Sequence, residues 1–290
     1  MTLPALSPAW RNAVLISPRQ LARQIASGPA PVILAVRSAD TDGPIPRAQL
    51  PRLPRAIDTD LALDFASPGG GRAGSRPLPD IDALQDKARD WGIFQDSEVV
   101  VYDHDGGLQA ARAWWVLRWA GIGRVRLLDG GYAAWQAIGQ PDTSAVYTPR
   151  RGNVKLSSGH MPQMTEDQAA DMARDGVLLD TRIRPNYEGG PTTAGEAPRG
   201  HIPGARSLPA MDNLNTDMSF LESPALQRQF TELGVQAGHP VGVYCGAGVS
   251  AAHAILALAC LGIEAPMYVG SWSAWSADPE RPVAQGSAPG

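Results

Sequence analysis

The sequence has little from which to build covalent or metal cross-links: of its 290 residues, only Cys245 and Cys260 are cysteines. They sit fifteen residues apart, on what reads as a strand end and the helix after it. That spacing does not suggest a disulfide framework, and no further thiol is present to complete a structural zinc site. Blocks of lysine and arginine are also missing, and the formal net charge is -4. There is therefore no electrostatic footprint for nucleic acid or an anionic membrane surface, and a small anionic substrate would need a local basic site. Long apolar runs are lacking too; the longest, 251–261, is interrupted by His253 and is too short to cross a bilayer. Residues 1–17 show no basic region followed by a long apolar one, so no secretory signal is expected and the expected location is the cytoplasm or an equivalent reducing compartment. Neither a cofactor nor a metal is implied, and nothing signals an oligomeric state.

What is present is enough apolar material, 43% hydrophobic against 19% charged, for two ordinary cores. It is organised as a repeat, with five segments recurring in the same order. VILAVR at 32–37 matches VLLDTR at 177–182, and RLPRA at 52–56 matches HIPGA at 201–205. EVVVYD, ending at Asp103, matches PVGVYC, ending at Cys245. AARAWWVLRWAGI at 110–122 matches AAHAILALACLGI at 251–263, and LDGGYAAW at 128–135 matches YVGSWSAW at 268–275.

Within each copy, short β-branched runs alternate with longer helical patterns at 81–91 and 224–233. This predicts an α/β fold in which a parallel sheet, buried on both faces, is flanked by helices. The first domain is expected at 13–142, a linker at 143–159, the second domain at 160–280 and a flexible tail at 281–290. The Gly/Pro-rich run 67–79 reads as irregular or mobile.

The chemistry is carried by PVGVYCGAGVSAAHAILALACLGI, where an apolar strand ends at Cys245, the small-residue loop Gly246, Ala247, Gly248, Val249 and Ser250 follows, and a helix begins near Ala251. Backbone N–H groups of such a turn converge on the sulfur, and the helix dipole favours an anion there, so the thiolate is stabilised. Glycines at 246 and 248 permit unusual φ values and open the approach to the sulfur. In the first copy the equivalent residue is Asp103, which reads as an exposed loop start and marks that domain as non-catalytic. A bland alternative for Cys245 is a small buried hydrophobe at a strand end. Cys260, in the stripe with Ile255, Leu256, Leu258 and Ala259, reads as core. His253 reads as a hydrogen-bonded structural histidine. Trp114, Trp115 and Trp119 read as packing residues. Asp180, Arg182 and His201 read as a mainly structural polar cluster around the loop.

On LLDTR, GHIPGA, VYCGAGVSA and GSWSAW in the second half, and VVVYD, AARAWW and LDGGYAAW in the first, the chain resembles the tandem-domain rhodanese family of thiosulfate and 3-mercaptopyruvate sulfurtransferases. The resemblance covers nearly the whole chain. It implies two rhodanese-like domains, the first inactive. It also implies that Cys245 takes sulfur from a small anionic donor, holds it as a persulfide and passes it to a thiophilic acceptor such as cyanide or a thiol. Two departures concern substrate recognition: Ala247 replaces a hydroxyl residue of the mercaptopyruvate pattern, and Asn186 replaces a donor-binding arginine. The Pro-Glu-Pro-Arg arginine has no clean match in GPTTAGEAPRG, although Arg199 lies close by. Arg199 is the favoured donor-binding cation, with Arg182, Arg184 and, across the cleft, Arg76 as other candidates. Two rival readings stand beside this one. A cysteine phosphatase needs an arginine closing the loop around phosphate, and 246–251 contains none. A binding module that keeps the fold without turnover is favoured by Asn186 and Ala247.

Overall fold

The structure is a computed structural model that describes residues 5–38, 49–191 and 199–290. The first half supplies β1 (Leu15–Ile16), β2 (Val32–Arg37), β3 (Ile57–Asp60), β4 (Val99–Tyr102) and β5 (Val125–Leu128). Its helices are α1 (Pro8–Val14), α2 (Pro18–Ser27), α3 (Leu61–Asp64), α4 (Ile81–Asp90), α5 (Leu108–Trp119) and α6 (Gly131–Ala137). The second half supplies β6 (Gln163–Met164), β7 (Val177–Asp180), β8 (Arg206–Ser207), β9 (Val241–Tyr244) and β10 (Met267–Tyr268). With them come α7 (Glu166–Asp175), α8 (Arg184–Glu188), α9 (Ser223–Glu232), α10 (Ser250–Ala259) and α11 (Ser271–Trp275).

Each half forms a five-stranded sheet, ordered β1-β5-β4-β2-β3 in the first and β6-β10-β9-β7-β8 in the second, with every pairing parallel. Strand for strand, this is one topology used twice, as the repeat requires. The central strands β4, β7 and β9 are buried throughout, which explains their unbroken apolar runs. Even small tertiary details recur. Ser17 with Gln20 and Thr165 with Gln168 form capping boxes at the starts of α2 and α7. The hydroxyls of Tyr102 and Tyr244 accept from the N–H groups of Leu53 and Ile202, at 3.0 and 3.1 Å. The indoles of Trp135 and Trp275 donate to the carbonyls of Pro141 and Pro282, both at 2.9 Å.

The halves meet along α5 and α10, which pack against each other. Both are apolar almost all round, as a helix sandwiched between two layers must be: Ala110 to Leu117 and Ala251 to Leu258 are buried, with Trp114 and Trp115 among the largest fully buried side chains. A single apolar cluster runs through both domains in consequence. Cys260 belongs to it, and burial pushes its thiol up to about 12. Residues 143–159 run back over the first domain, where Gly152 donates to the Arg89 carbonyl and Val154 is buried. The run 67–79 is irregular apart from a 3-10 turn at Gly71–Ala73, but it is tied to the second domain through the Ser75 N–H on Ser273 Oγ at 2.9 Å. In the tail, Ala284 pairs with His201. Among the described residues no helix is long and apolar enough to cross a membrane.

Candidate active site

β9 delivers Cys245 to the carboxyl edge of the second sheet, and α10 begins five residues later. The side chain is 1% exposed, and Sγ accepts the Gly248 N–H at 2.9 Å. Gly248 can turn its amide to the sulfur because it adopts φ +76, and a Cβ there would lie 2.9 Å from Arg112 Nη1. The rest of the loop, Gly246, Ala247, Val249 and Ser250, is partly exposed, so the sulfur lies beneath a neutral, small-residue rim.

Ser271 forms the floor. Its Oγ accepts the Cys245 N–H at 3.3 Å, donates to the Tyr268 carbonyl at 2.9 Å and stands 3.9 Å from Sγ. Ser271 has φ +55, and its repeat equivalent, Gly131, has φ +57. The turn thus calls for a left-handed residue, glycine satisfies it in the first copy, and the second copy carries a serine there at a cost of roughly 1 kcal/mol or more. The hydroxyl beside the sulfur is what accompanies that strain.

In the first domain the same turn holds Asp103, and the expectation of an exposed loop start is corrected: the residue is 1% exposed. Burial is tolerated because its carboxylate accepts four backbone N–H groups, from Asp105 and Gly107 at 2.9 and 2.8 Å and from Gln109 and Ala110 at 2.8 and 2.9 Å. Desolvation pushes the carboxyl above its ordinary range, and these donors oppose the shift.

The polar cluster expected around the loop divides. Asp180 and Arg182 form a buried ion pair, with Nε 3.0 Å from each carboxylate oxygen, and Arg182 also donates to the Gly200 carbonyl at 2.5 Å. Its guanidinium lies over the Trp272 ring at 4.4 Å. His201 turns elsewhere, stacked on Tyr187 at 3.8 Å with its nitrogens on the carbonyls of Tyr187 and Pro289. Thr181 Oγ1 meets Ser250 Oγ at 3.0 Å, joining the end of β7 to the start of α10. Asn186 is half-buried on α8, and its carbonyl accepts the Gly200 N–H at 3.2 Å. Arg184 pairs with Asp212, and Arg199 is exposed, its carbonyl accepting from Gln285. Residues 192–198 of GPTTAGEAPRG lie outside the described residues. His253 packs on Phe220, and burial draws its pKa down to about 4.

Two residues escaped the sequence reading. Ser271 was visible only as the serine standing against Gly131 in the repeat. The other is Arg112, a fully buried cation on α5 whose Nη1 donates to the Gly248 carbonyl at 3.3 Å. Its one signal was a charge in the middle of an apolar helix. Beside the site, a cleft of about 510 Å³ opens along Tyr268, Val269 and Gly270, with Arg72, Pro77 and Leu78 of the first domain opposite.

Tandem parallel sheets, each ending a central strand in a tight turn that holds an anion or a thiol, define the class, and the family comparison agrees. The Rhodanese-like domain model matches residues 17–138 and again 165–278, so the chain belongs to that family. It is 40% identical over 285 residues to "Putative thiosulfate sulfurtransferase SseB" of Mycobacterium tuberculosis, covering 96% of this chain and 99% of that one. It is 39% identical over 287 residues to "Probable 3-mercaptopyruvate sulfurtransferase" of Pseudomonas aeruginosa, covering 95% and 99%. The crystal structure of YnjE shares the fold at a TM-score of 0.80 and 23% identity, over 94% of this chain and 68% of that one.

Proposed function

We propose that the protein is a sulfurtransferase that carries sulfane sulfur as a persulfide on Cys245, taking it from 3-mercaptopyruvate or thiosulfate and giving it to a thiophilic acceptor such as cyanide or a thiol. The observation that carries this reading is the pair of equivalent turns. In one, four backbone N–H groups hold a carboxylate; in the other, the turn presents a thiol with Gly248 N–H already on the sulfur. A turn of this build suits an anion on the nucleophile, both as thiolate and as persulfide. The names of the relatives supply the donor classes.

In the first half-reaction the Cys245 thiolate attacks the donor's transferable sulfur. With thiosulfate the S–S bond breaks and sulfite leaves with the electron pair; with 3-mercaptopyruvate the C–S bond breaks and the carbon leaves as the enolate of pyruvate, which takes up a proton. In the second half-reaction the acceptor attacks the outer sulfur and the thiolate is restored. Asp103 makes the first domain non-catalytic. The uncharged rim 246–250 suits a monoanionic donor better than a dianion, which favours 3-mercaptopyruvate. Arg199 supplies the cation for its carboxylate, Asn186 a neutral hydrogen-bonding group, and Arg182 a guanidinium braced by Asp180 beside the loop.

Incubation with each donor and cyanide, read as thiocyanate, tests the reading. The parent should turn over with at least one donor, and Cys245→Ser should not. A folded parent that forms no thiocyanate with either would leave the binding-module alternative.

A further inference from the structure

Each domain sends one side chain across α5 and α10 into the other's turn. Arg112 reaches the Gly248 carbonyl, and His253 places Nε2 3.3 Å from the Gly106 carbonyl. The two are equivalent in the repeat, third in AAR at 110–112 and AAH at 251–253. Their chemistry is opposite. His253 stands neutral beside the turn that carries its own fixed anion, Asp103, whereas Arg112 brings a cation to the turn that carries the thiol.

Arg112 is fully buried, and its other hydrogen bonds run to the carbonyls of Phe65 at 3.2 Å, Arg76 at 3.1 Å and Pro77 at 3.5 Å. All its hydrogen-bond partners among the described residues are carbonyls; no carboxylate pairs with it there. A buried guanidinium without a counter-anion is costly. Burial draws its pKa down to about 10, which leaves it charged at neutral pH; the nearby Cys245 side chain favours the cation and Arg76 opposes it.

We propose that Arg112 is a positioning residue which the non-catalytic domain supplies to the catalytic one: it holds the Gly248 carbonyl so that the Gly248 N–H stays on Cys245 Sγ, and it is the counter-cation of the thiolate and of the persulfide that replaces it. This rests on Cys245 being the sulfur carrier. It gives the first domain a chemical task although it has no nucleophile. Other polar groups around the loop are the Ser271 hydroxyl, Arg182 in its pair with Asp180, and Arg76 beside Arg112. All three are left in place by a substitution at 112.

The test uses full-length Arg112→Gln, which keeps donors for the carbonyls and removes the charge, and Arg112→Lys, which keeps the charge. Iodoacetamide labelling of Cys245, followed by peptide mass mapping across pH, reports the thiolate directly. In Arg112→Gln the labelling midpoint should move alkaline by about one unit, with persulfide formation at neutral pH slowed about tenfold, while Arg112→Lys stays near the parent. A folded Arg112→Gln protein with the parent's midpoint overturns the proposal. Should that variant not fold, a midpoint in Arg112→Lys shifted as far as about one unit overturns it instead. Labelling does not depend on sulfur transfer, so a parent that labels normally yet never gains sulfur counts against Cys245 as carrier and not against Arg112.

Discussion

Asp103→Asn should cost the first domain several kcal/mol, because the turn around that residue is built for two acceptor oxygens. The carboxylate takes two backbone N–H groups on each oxygen, at 2.8–2.9 Å, in a site 1% exposed. Asparagine keeps one oxygen for one pair of donors and turns an NH₂ group toward the other pair, so two charge-assisted bonds become donor–donor contacts. At about 1.5–3 kcal/mol for a hydrogen bond to a charged group, the loss is roughly 3–6 kcal/mol. The lower end applies, since removing the charge also relieves the desolvation that raises this carboxyl. Urea unfolding followed by tryptophan fluorescence measures it, because Trp114 and Trp115 are buried in this half. The folded fraction should still transfer sulfur. An Asp103→Asn protein within about 1 kcal/mol of the parent would refute the argument that these four bonds make the buried carboxylate tolerable.

Ser271→Gly removes the hydroxyl that holds the Cys245 N–H and stands 3.9 Å from its sulfur, and also relieves a left-handed serine worth roughly 1 kcal/mol, so thermal stability should hold while persulfide formation slows about tenfold; a stable, fully active variant would show that the hydroxyl takes no part in the transfer. For His253 the folded pKa of about 4 lies below the ordinary 6.5, so the unfolded chain binds a proton that the folded one refuses. Stability present above pH 6.5 should therefore fall by ~3 kcal/mol as the pH drops toward 4, and His253→Gln should flatten that part of the urea-midpoint profile. Arg199→Ala should lower kcat/KM for 3-mercaptopyruvate about ten- to a hundredfold, the equivalent of a charge-assisted contact of roughly 1.5–3 kcal/mol; unchanged kinetics remove Arg199 from donor binding.

The sheets were legible because buried parallel strands write themselves as apolar runs, and the match of EVVVYD with PVGVYC places the two turns from the sequence alone. Cys245 followed from the same comparison. The roles of Asp103, Ser271 and Arg112 were not legible, for one reason: each depends on backbone atoms, which sequence does not display. Asp103 reads as exposed until four N–H donors are found around it. The serine at 271 looks ordinary until its φ is known. Arg112 looks misplaced in an apolar helix until the carbonyls of Phe65, Arg76 and Gly248 surround it. His201, grouped in sequence with the loop, is drawn instead to Tyr187 and the Pro289 carbonyl, a contact to the far end of the chain.

The central claim is that sulfur travels on Cys245, and mass spectrometry after donor treatment without acceptor tests it most directly. Both cysteines are buried, but among the described residues only Cys245 has a backbone donor on its sulfur, whereas Cys260 lies in the apolar core, where burial pushes its thiol up to about 12 despite Arg11 nearby. The parent and Cys260→Ser should each gain one sulfur atom, mapped to the peptide containing Cys245, which cyanide then removes; Cys245→Ser should gain none. A persulfide on Cys260, or added sulfur in Cys245→Ser, would contradict the account.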